Sequence, residues 1–202
     1  MSQETGVSKI SDVSPVERIS GIIAIGSNLY FEGDGPEIVL DAAFAILATR
    51  GFVIRRRSRN FRTPAFPAGA GPDFVNGAAV IESTGDIHHM LAQLHAVEAQ
   101  LGRTREQRWG ARTLDLDLIA VGQHVLPDAQ THQYWRDLTL EAQKTAVPPE
   151  LILPHPRLEE RGFVLAPLMD IAPEWSHPLT GRTVSEMYEA LPQDALRDVV
   201  VL

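Results

Sequence analysis

The chain has no cysteine, which excludes disulfides and thiolate metal sites. It has no long apolar run either. Residues 1–20 are polar and mixed in charge, without the apolar core of a signal peptide, and no stretch approaches the roughly 20 apolar residues of a membrane span. Excess basic charge is absent: 18 Lys and Arg stand against 26 Asp and Glu, a formal charge of −8, which argues against a general nucleic-acid binder. There is no Gly-x-x-x-x-Gly-Lys-Ser/Thr, so any ATP site is not a P-loop, and Gly69-x-Gly71 lacks both the third glycine and the following helix of a dinucleotide site. These absences lead us to expect a cytoplasmic protein with no membrane or nucleic-acid partner.

What is present is an ordinary globular composition. With 202 residues, 44% hydrophobic and 22% charged, the chain suits one domain with a sizeable core. We expect that domain over residues 21–202, acting as a monomer, after a disordered tail over residues 1–20. The basic charge is pooled. Ten of the 18 basic residues are Arg at 50, 55, 56, 57, 59, 62, 103, 105, 108 and 112. A local positive site on a negative protein suits a small anionic substrate.

The element pattern is short and regular. Ile22 to Ile25 reads as a strand closed by the Gly26-Ser27-Asn28 turn, where Ser27 or Asn28 either meets a ligand or only closes the turn. Pro36 to Thr49 carries a helical apolar stripe. Phe52 to Arg62 reads as a strand with Arg55, Arg57 and Arg59 on one solvated face, and Thr63 to Pro72 as a Pro- and Gly-rich loop of the kind that closes over ligands. Phe74 to Ile81 is a strand containing Asn76, either a satisfied core amide or a ligand reader. Asp86 to Leu101 is a helix closed by Gly102. The polar connection from Asp128 to Glu150 predicts a helix around Leu138 to Lys144. The segments Leu165 to Ile171 and Thr183 to Leu191 read as helices on the back of the sheet. Strand, helix, strand, strand, helix, strand is the order of an α+β ferredoxin-like sandwich, a mainly antiparallel sheet with helices packed on it.

The chemistry centres on Arg108-Trp109-Gly110-Ala111-Arg112-Thr113-Leu114-Asp115-Leu116-Asp117 and the apolar run after it. Alternation makes this a strand entering a core, with Asp115 and Asp117 on one face and their Cβ atoms about 6–7 Å apart. At an effective dielectric of about 20 the two carboxylates repel by about 2.5 kcal/mol. A solvated strand edge tolerates this, while a cleft requires a counterion. Two carboxylates on a rigid strand suit Mg²⁺, which takes oxygen ligands and keeps waters or phosphate oxygens. Arg108 and Arg112 add donors that match phosphate.

This stretch closely resembles the signature of the 6-hydroxymethyl-7,8-dihydropterin pyrophosphokinase family of folate biosynthesis. Ile23-Ala24-Ile25-Gly26-Ser27-Asn28-Leu29 is similar to the family's first strand and turn. Phe61-Arg62-Thr63-Pro64 resembles the end of its second strand, and Asp73-Phe74-Val75-Asn76-Gly77-Ala78 its third-strand entry. Leu153-Pro154-His155-Pro156 and Arg161-Gly162-Phe163-Val164-Leu165 resemble its C-terminal substrate loop. The five blocks fall in the family's order over roughly residues 20–178.

The resemblance implies transfer of pyrophosphate from ATP to 6-hydroxymethyl-7,8-dihydropterin. It implies that Asp115 and Asp117 hold Mg²⁺, two ions, and that Arg103 and Arg112 offset charge in the transition state. Glu98, Arg105, His155 and Arg161 belong to the ATP site. The pterin lies between Phe74 and Phe163, with Asn76, Thr63, Pro64 and Phe66 reading its edge and Trp109 sealing it. Two positions depart from the pattern: His95 replaces a glutamine that helps bind ATP, and Phe74 replaces a tyrosine. A non-catalytic ferredoxin-like module that binds nucleotide or nucleic acid is one alternative. Another Mg²⁺-dependent phosphotransferase or nucleotide hydrolase is a second. Neither accounts for five blocks in order.

Overall fold

The computed structural model describes residues 17–65, 71–102 and 112–202. The expected tail up to residue 16, Phe66, Arg103, Arg105, Arg108 and Trp109 lie outside these residues.

Three strands carry the architecture. β1 (Ile19–Ser27) pairs antiparallel with β4 (Phe74–Ser83) on one side and with β5 (Asp115–Val121) on the other. β2 (Val53–Arg57) and β3 (Phe61–Thr63) both pair with the far side of β4, and the two-residue β6 (Val200–Val201) pairs with β3. The sheet therefore runs β5-β1-β4-β3-β6. β5 lies at one edge.

Strand alternation splits the core in two. Ile23, Ile25, Ala79, Ile81, Leu116 and Leu118 point to one face, where α1 (Pro36–Thr49) and α2 (Ile87–Gln100) bury Leu40, Leu47, Met90, Leu94 and Val97 against them. Ile22, Ala78, Ile119 and Ala120 belong to the second core, built with α5 (Gly162–Ile171) and α6 (Val184–Glu189) through Leu165, Leu168, Val184 and Met187. Burying a Leu or Ile of this kind contributes roughly 1.5–3 kcal/mol each. This is the α+β ferredoxin-like arrangement, with extra helices on the back. Among the described residues no helix is long and apolar enough to cross a membrane.

The structure corrects the sequence reading in three places. The stretch Phe52 to Arg62 is not one strand. A register shift between Ile54 and Arg56 inserts a residue, and Ser58 then breaks the ladder: its N–H donates to Ala78 O (3.0 Å), while its Oγ accepts the Ala78 N–H (2.9 Å). A one-residue insertion exchanges faces. Arg55, Arg57 and Arg59 therefore do not share a face. Arg55 pairs with Glu82, Arg57 lies over the Phe44 ring beside Asp41 on the α1 side, and Arg59 forks onto Asp170 of α5. The basic run is thus held by acidic partners.

The connection after β5 holds two helices rather than one, α3 (Ala129–Arg136), capped by the Asp128 carboxylate, and α4 (Leu140–Thr145). The helix placed at Leu165 begins three residues earlier, at Gly162.

Candidate active site

α5 covers only part of its face of the sheet. Where it begins, a cleft of about 930 Å³ opens against the C-terminal half of β1 and the facing residues of β4 and β5. Ser27 ends β1, and Asn28, which follows it, lines the cleft; both are buried.

Asp115 and Asp117 both line this cleft, two residues apart on one face of β5, opposite Gly26 and Ala24 of β1. Each carboxylate is ion-paired. Arg112 reaches Asp115, and Arg161, at the N-terminus of α5, donates to Asp117 Oδ2 at 3.1 Å. Guanidinium cations therefore occupy both carboxylates, so the donor set holds positive charge as it stands. Two hard oxygen donors on one strand, with room beside them, fit Mg²⁺ completed by water and phosphate oxygens.

His155 lies on the same wall. Its N–H donates to Ile119 O (2.8 Å), which ties the Pro154-His155-Pro156 turn to the outer edge of β5. Burial, then the neighbouring Arg161 and Arg157, hold the imidazole well below its ordinary pKa. Nδ1 accepts the Arg157 N–H at 3.1 Å, so the neutral ring carries its proton on Nε2, a donor for an anionic oxygen.

At the β3–β4 end the cleft is lined by Phe74, Asn76, Thr63 and Pro64. Asn76 Nδ2 donates to Thr63 Oγ1 at 2.8 Å, both residues being buried. In this arrangement Nδ2 is turned to Thr63 and Oδ1 to the side of Gly26. Any Cβ at Gly26 would sit 2.6 Å from Asn76 Oδ1 and 3.6 Å from the Phe74 ring, so glycine there keeps the amide and ring in place. Phe163, 38% exposed, projects from the start of α5 with Arg161 over its ring at 5.6 Å. The arrangement offers a flat apolar slot with a polar edge at one end and an anion-binding row at the other.

Glu98 is placed differently. It is buried on α2, does not line the cleft, and accepts the Leu116 N–H at 2.7 Å. Leu116 is on an edge strand whose outward N–H would otherwise need water, so the carboxylate caps that edge. His95 of the same helix does line the cleft.

Asn28, expected either to meet a ligand or to close the turn, lines the cleft and also holds the segments beside it. Its Oδ1 accepts the Arg112 N–H (2.7 Å), its own N–H donates to Arg112 O (3.1 Å), and its Nδ2 donates to Pro72 O (3.0 Å). Arg157, Trp135 and Val147 also line the cleft and were missed. Neither periodicity nor motif marks them.

Residues 22–173 match the family described as 7,8-dihydro-6-hydroxymethylpterin-pyrophosphokinase, HPPK. The chain belongs to the HPPK family. Among its relatives are enzymes named 2-amino-4-hydroxy-6-hydroxymethyldihydropteridine pyrophosphokinase. The one from Synechocystis is 33% identical over 177 residues, covering 87% of this chain and 77% of the relative. The one from Pseudomonas aeruginosa is 33% identical over 174 residues, covering 86% and 93%. Among solved structures, the fold is similar to that of the Plasmodium falciparum HPPK-DHPS protein, with TM-score 0.61 at 12% identity over 86% of this chain. This chain spans 43% of that protein.

Proposed function

We propose that this chain transfers the β,γ-pyrophosphoryl group of ATP to the hydroxymethyl oxygen of 6-hydroxymethyl-7,8-dihydropterin in folate biosynthesis. The hydroxyl oxygen bonds to the β-phosphorus, the bond from that phosphorus to the α,β-bridging oxygen breaks, the hydroxyl proton is lost, and AMP leaves. The observation that carries the reading is that one cleft joins the Asp115–Asp117 face to the Asn76–Thr63 amide.

The residues divide the work by position. Phe74 and Phe163 take the pterin ring between them, and the Asn76 amide, with backbone groups from Thr63 to Phe66, reads its edge. Arg112, Arg161 and the neutral His155 hold phosphate oxygens and offset negative charge as it builds at the β-phosphate and the bridging oxygen. Asp115 and Asp117 would hold Mg²⁺, two ions, which when bound neutralise the triphosphate and polarise it toward attack. Family roles extend the site to residues outside those described: Arg103 and Arg105 on the phosphates and Trp109 as a seal. A single domain over residues 21–202, free of cysteine, suits a monomeric cytoplasmic enzyme of this kind.

The test is nucleotide product analysis with ATP, Mg²⁺ and the pterin. AMP formed only when the pterin is present, matched by pterin diphosphate, is the expected result. ADP or phosphate as the product would point to another phosphotransferase, and no turnover despite binding of both ligands would point to a non-catalytic relative.

A further inference from the structure

Phe74 and Phe163 line the cleft from different parts of the fold, one from the first residue of β4 and one from the first turn of α5. A slot for a flat ring works only if two such walls keep a fixed separation. The Arg161–Asp117 pair ties the start of α5 to the sheet at 3.1 Å, but phosphate competes for that arginine. The C-terminal segment supplies a tie that no ligand contests.

Residues 192–202 follow the stretch matched to the family, 22–173. Here α7 (Gln193–Leu196) is a single turn laid against Gly162, where a Cβ would sit 2.5 Å from Ala195 O and 3.2 Å from Leu196 Cδ2. Gly162 is not at a positive φ, so its missing side chain serves the close approach of α7. The chain then turns directly into β6, the Val199 N–H donating to Leu196 O at 3.1 Å. On β6, Val200 stands opposite Arg62 of β3 and Val201 opposite Phe61, and the Leu202 N–H donates to Asn60 O at 2.9 Å. One further step in that register sets Val199 opposite Thr63, whose partner on β4 is Phe74. Val199, Thr63 and Phe74 thus form one row across the sheet. Pro192, Ala195 and Val199 themselves line the cleft. Four residues lead from Ala195, on the Phe163 side, to Val199, on the Phe74 side, a reach of at most about 14 Å.

We propose that residues 192–202 are a positioning segment that sets the width of the pterin slot, fixing Phe163 of α5 relative to Phe74 of β4. The proposal rests on the reading of the cleft as a pterin and ATP site. The segment acts on the walls of the slot and takes no part in the transfer. β6 and β5 are opposite edges of the sheet, so its influence falls on the pterin end and not on the Asp115–Asp117 face.

The experiment loosens the segment at each end of the full chain. Leu196→Ala weakens the seat of α7 on Gly162. Val200→Pro deletes an N–H from the ladder to β3, because the Asn60–Leu202 bond makes Arg62 and Val200 a hydrogen-bonded pair. The pterin and the Mg²⁺ complex of α,β-methylene-ATP are each titrated by calorimetry, the pterin with the analogue present, and thermal melts check folding. Both variants should bind the pterin about ten-fold more weakly with nucleotide affinity unchanged, and Leu196→Met, which keeps the volume, should restore most of the loss. If Leu196→Ala does not fold, Val200→Pro carries the test, since Val200 is 43% exposed. Unchanged pterin affinity in the folded variants would overturn the proposal, as would equal losses for pterin and nucleotide, which mark a general loosening. Wild-type protein that binds nucleotide but no pterin would remove the reading on which the proposal rests.

Discussion

Asn28 and Arg112 exchange two hydrogen bonds, the Asn28 carboxamide oxygen and backbone N–H bonding the backbone N–H and O of Arg112, while the Asn28 amide nitrogen holds Pro72 O. One buried side chain, 3% exposed, thus ties the ends of two loops that flank the cleft to the end of β1. Removing it leaves two backbone groups, the Arg112 N–H and Pro72 O, without that partner, at about 1–3 kcal/mol each. Asn28→Ala should therefore lower stability, and it should cost about ten- to hundred-fold in kcat by displacing Arg112. Asn28→Asp keeps the bond to Arg112 and loses the donor to Pro72, so most of the kcat should return. Steady-state kinetics of the two variants, alongside thermal melts, decide this; equal kcat losses in both would refute the link through Arg112.

The paired carboxylates should matter for turnover far more than for folding. Asp115→Asn or Asp117→Asn removes one charge of a like-charged pair and one partner of a part-exposed ion pair, changes that nearly offset in stability. Turnover should fall by at least about 10³-fold. A variant with near-wild-type activity would rule out the assigned Mg²⁺ ligand.

Thr63→Val is isosteric and deletes the hydroxyl that orients the Asn76 amide at 2.8 Å. The amide is then free to turn its nitrogen toward the substrate. The KM for the pterin should rise about ten-fold, in keeping with roughly 1.4 kcal/mol of the 1–3 kcal/mol expected for an unsatisfied buried group, with the KM for ATP unchanged. An equal rise in both would show a general loosening instead.

Acid should weaken the fold through His177. Burial, then the His132 ring at 5.4 Å, push it from 6.5 to about 4. The unfolded chain takes up a proton below pH of about 6.5 and the folded one not until about 4, so stability is complete above the first value and drains toward the second, by about 3 kcal/mol. Burial lowers His132 as well, adding in the same direction. His177→Asn keeps an acceptor for the Leu179 N–H and does not titrate. Its urea midpoint should fall less than that of wild type between pH 7 and 4.5; parallel slopes would exclude His177 as the source.

Much of the site was legible because it obeys the strand period. Asp115 and Asp117 must share a face whatever surrounds them, and a Gly-Ser-Asn turn must end β1. The bulge in β2 was not legible: an alternating arginine run reads the same with or without one inserted residue, and only the ladder to β4 decides. α3 was missed because Ala129 to Arg136 has no apolar stripe. It is held by the Asp128 cap and by His132 reaching Pro154 O, a contact 22 residues away in sequence. Likewise nothing in the sequence of α2 says that Glu98 will cap the outward N–H of Leu116.

The two ion pairs on β5 have a thermodynamic consequence. Arg112 and Arg161 already neutralise Asp115 and Asp117 in the ligand-free protein. A cation on the carboxylates competes with both arginines, and phosphate on the arginines competes with both carboxylates. Either ligand arriving alone strands a charge in a part-buried site, while the two together exchange four partners and strand none. Cation and nucleotide should therefore bind with strong positive coupling, each raising the other's affinity by the same factor.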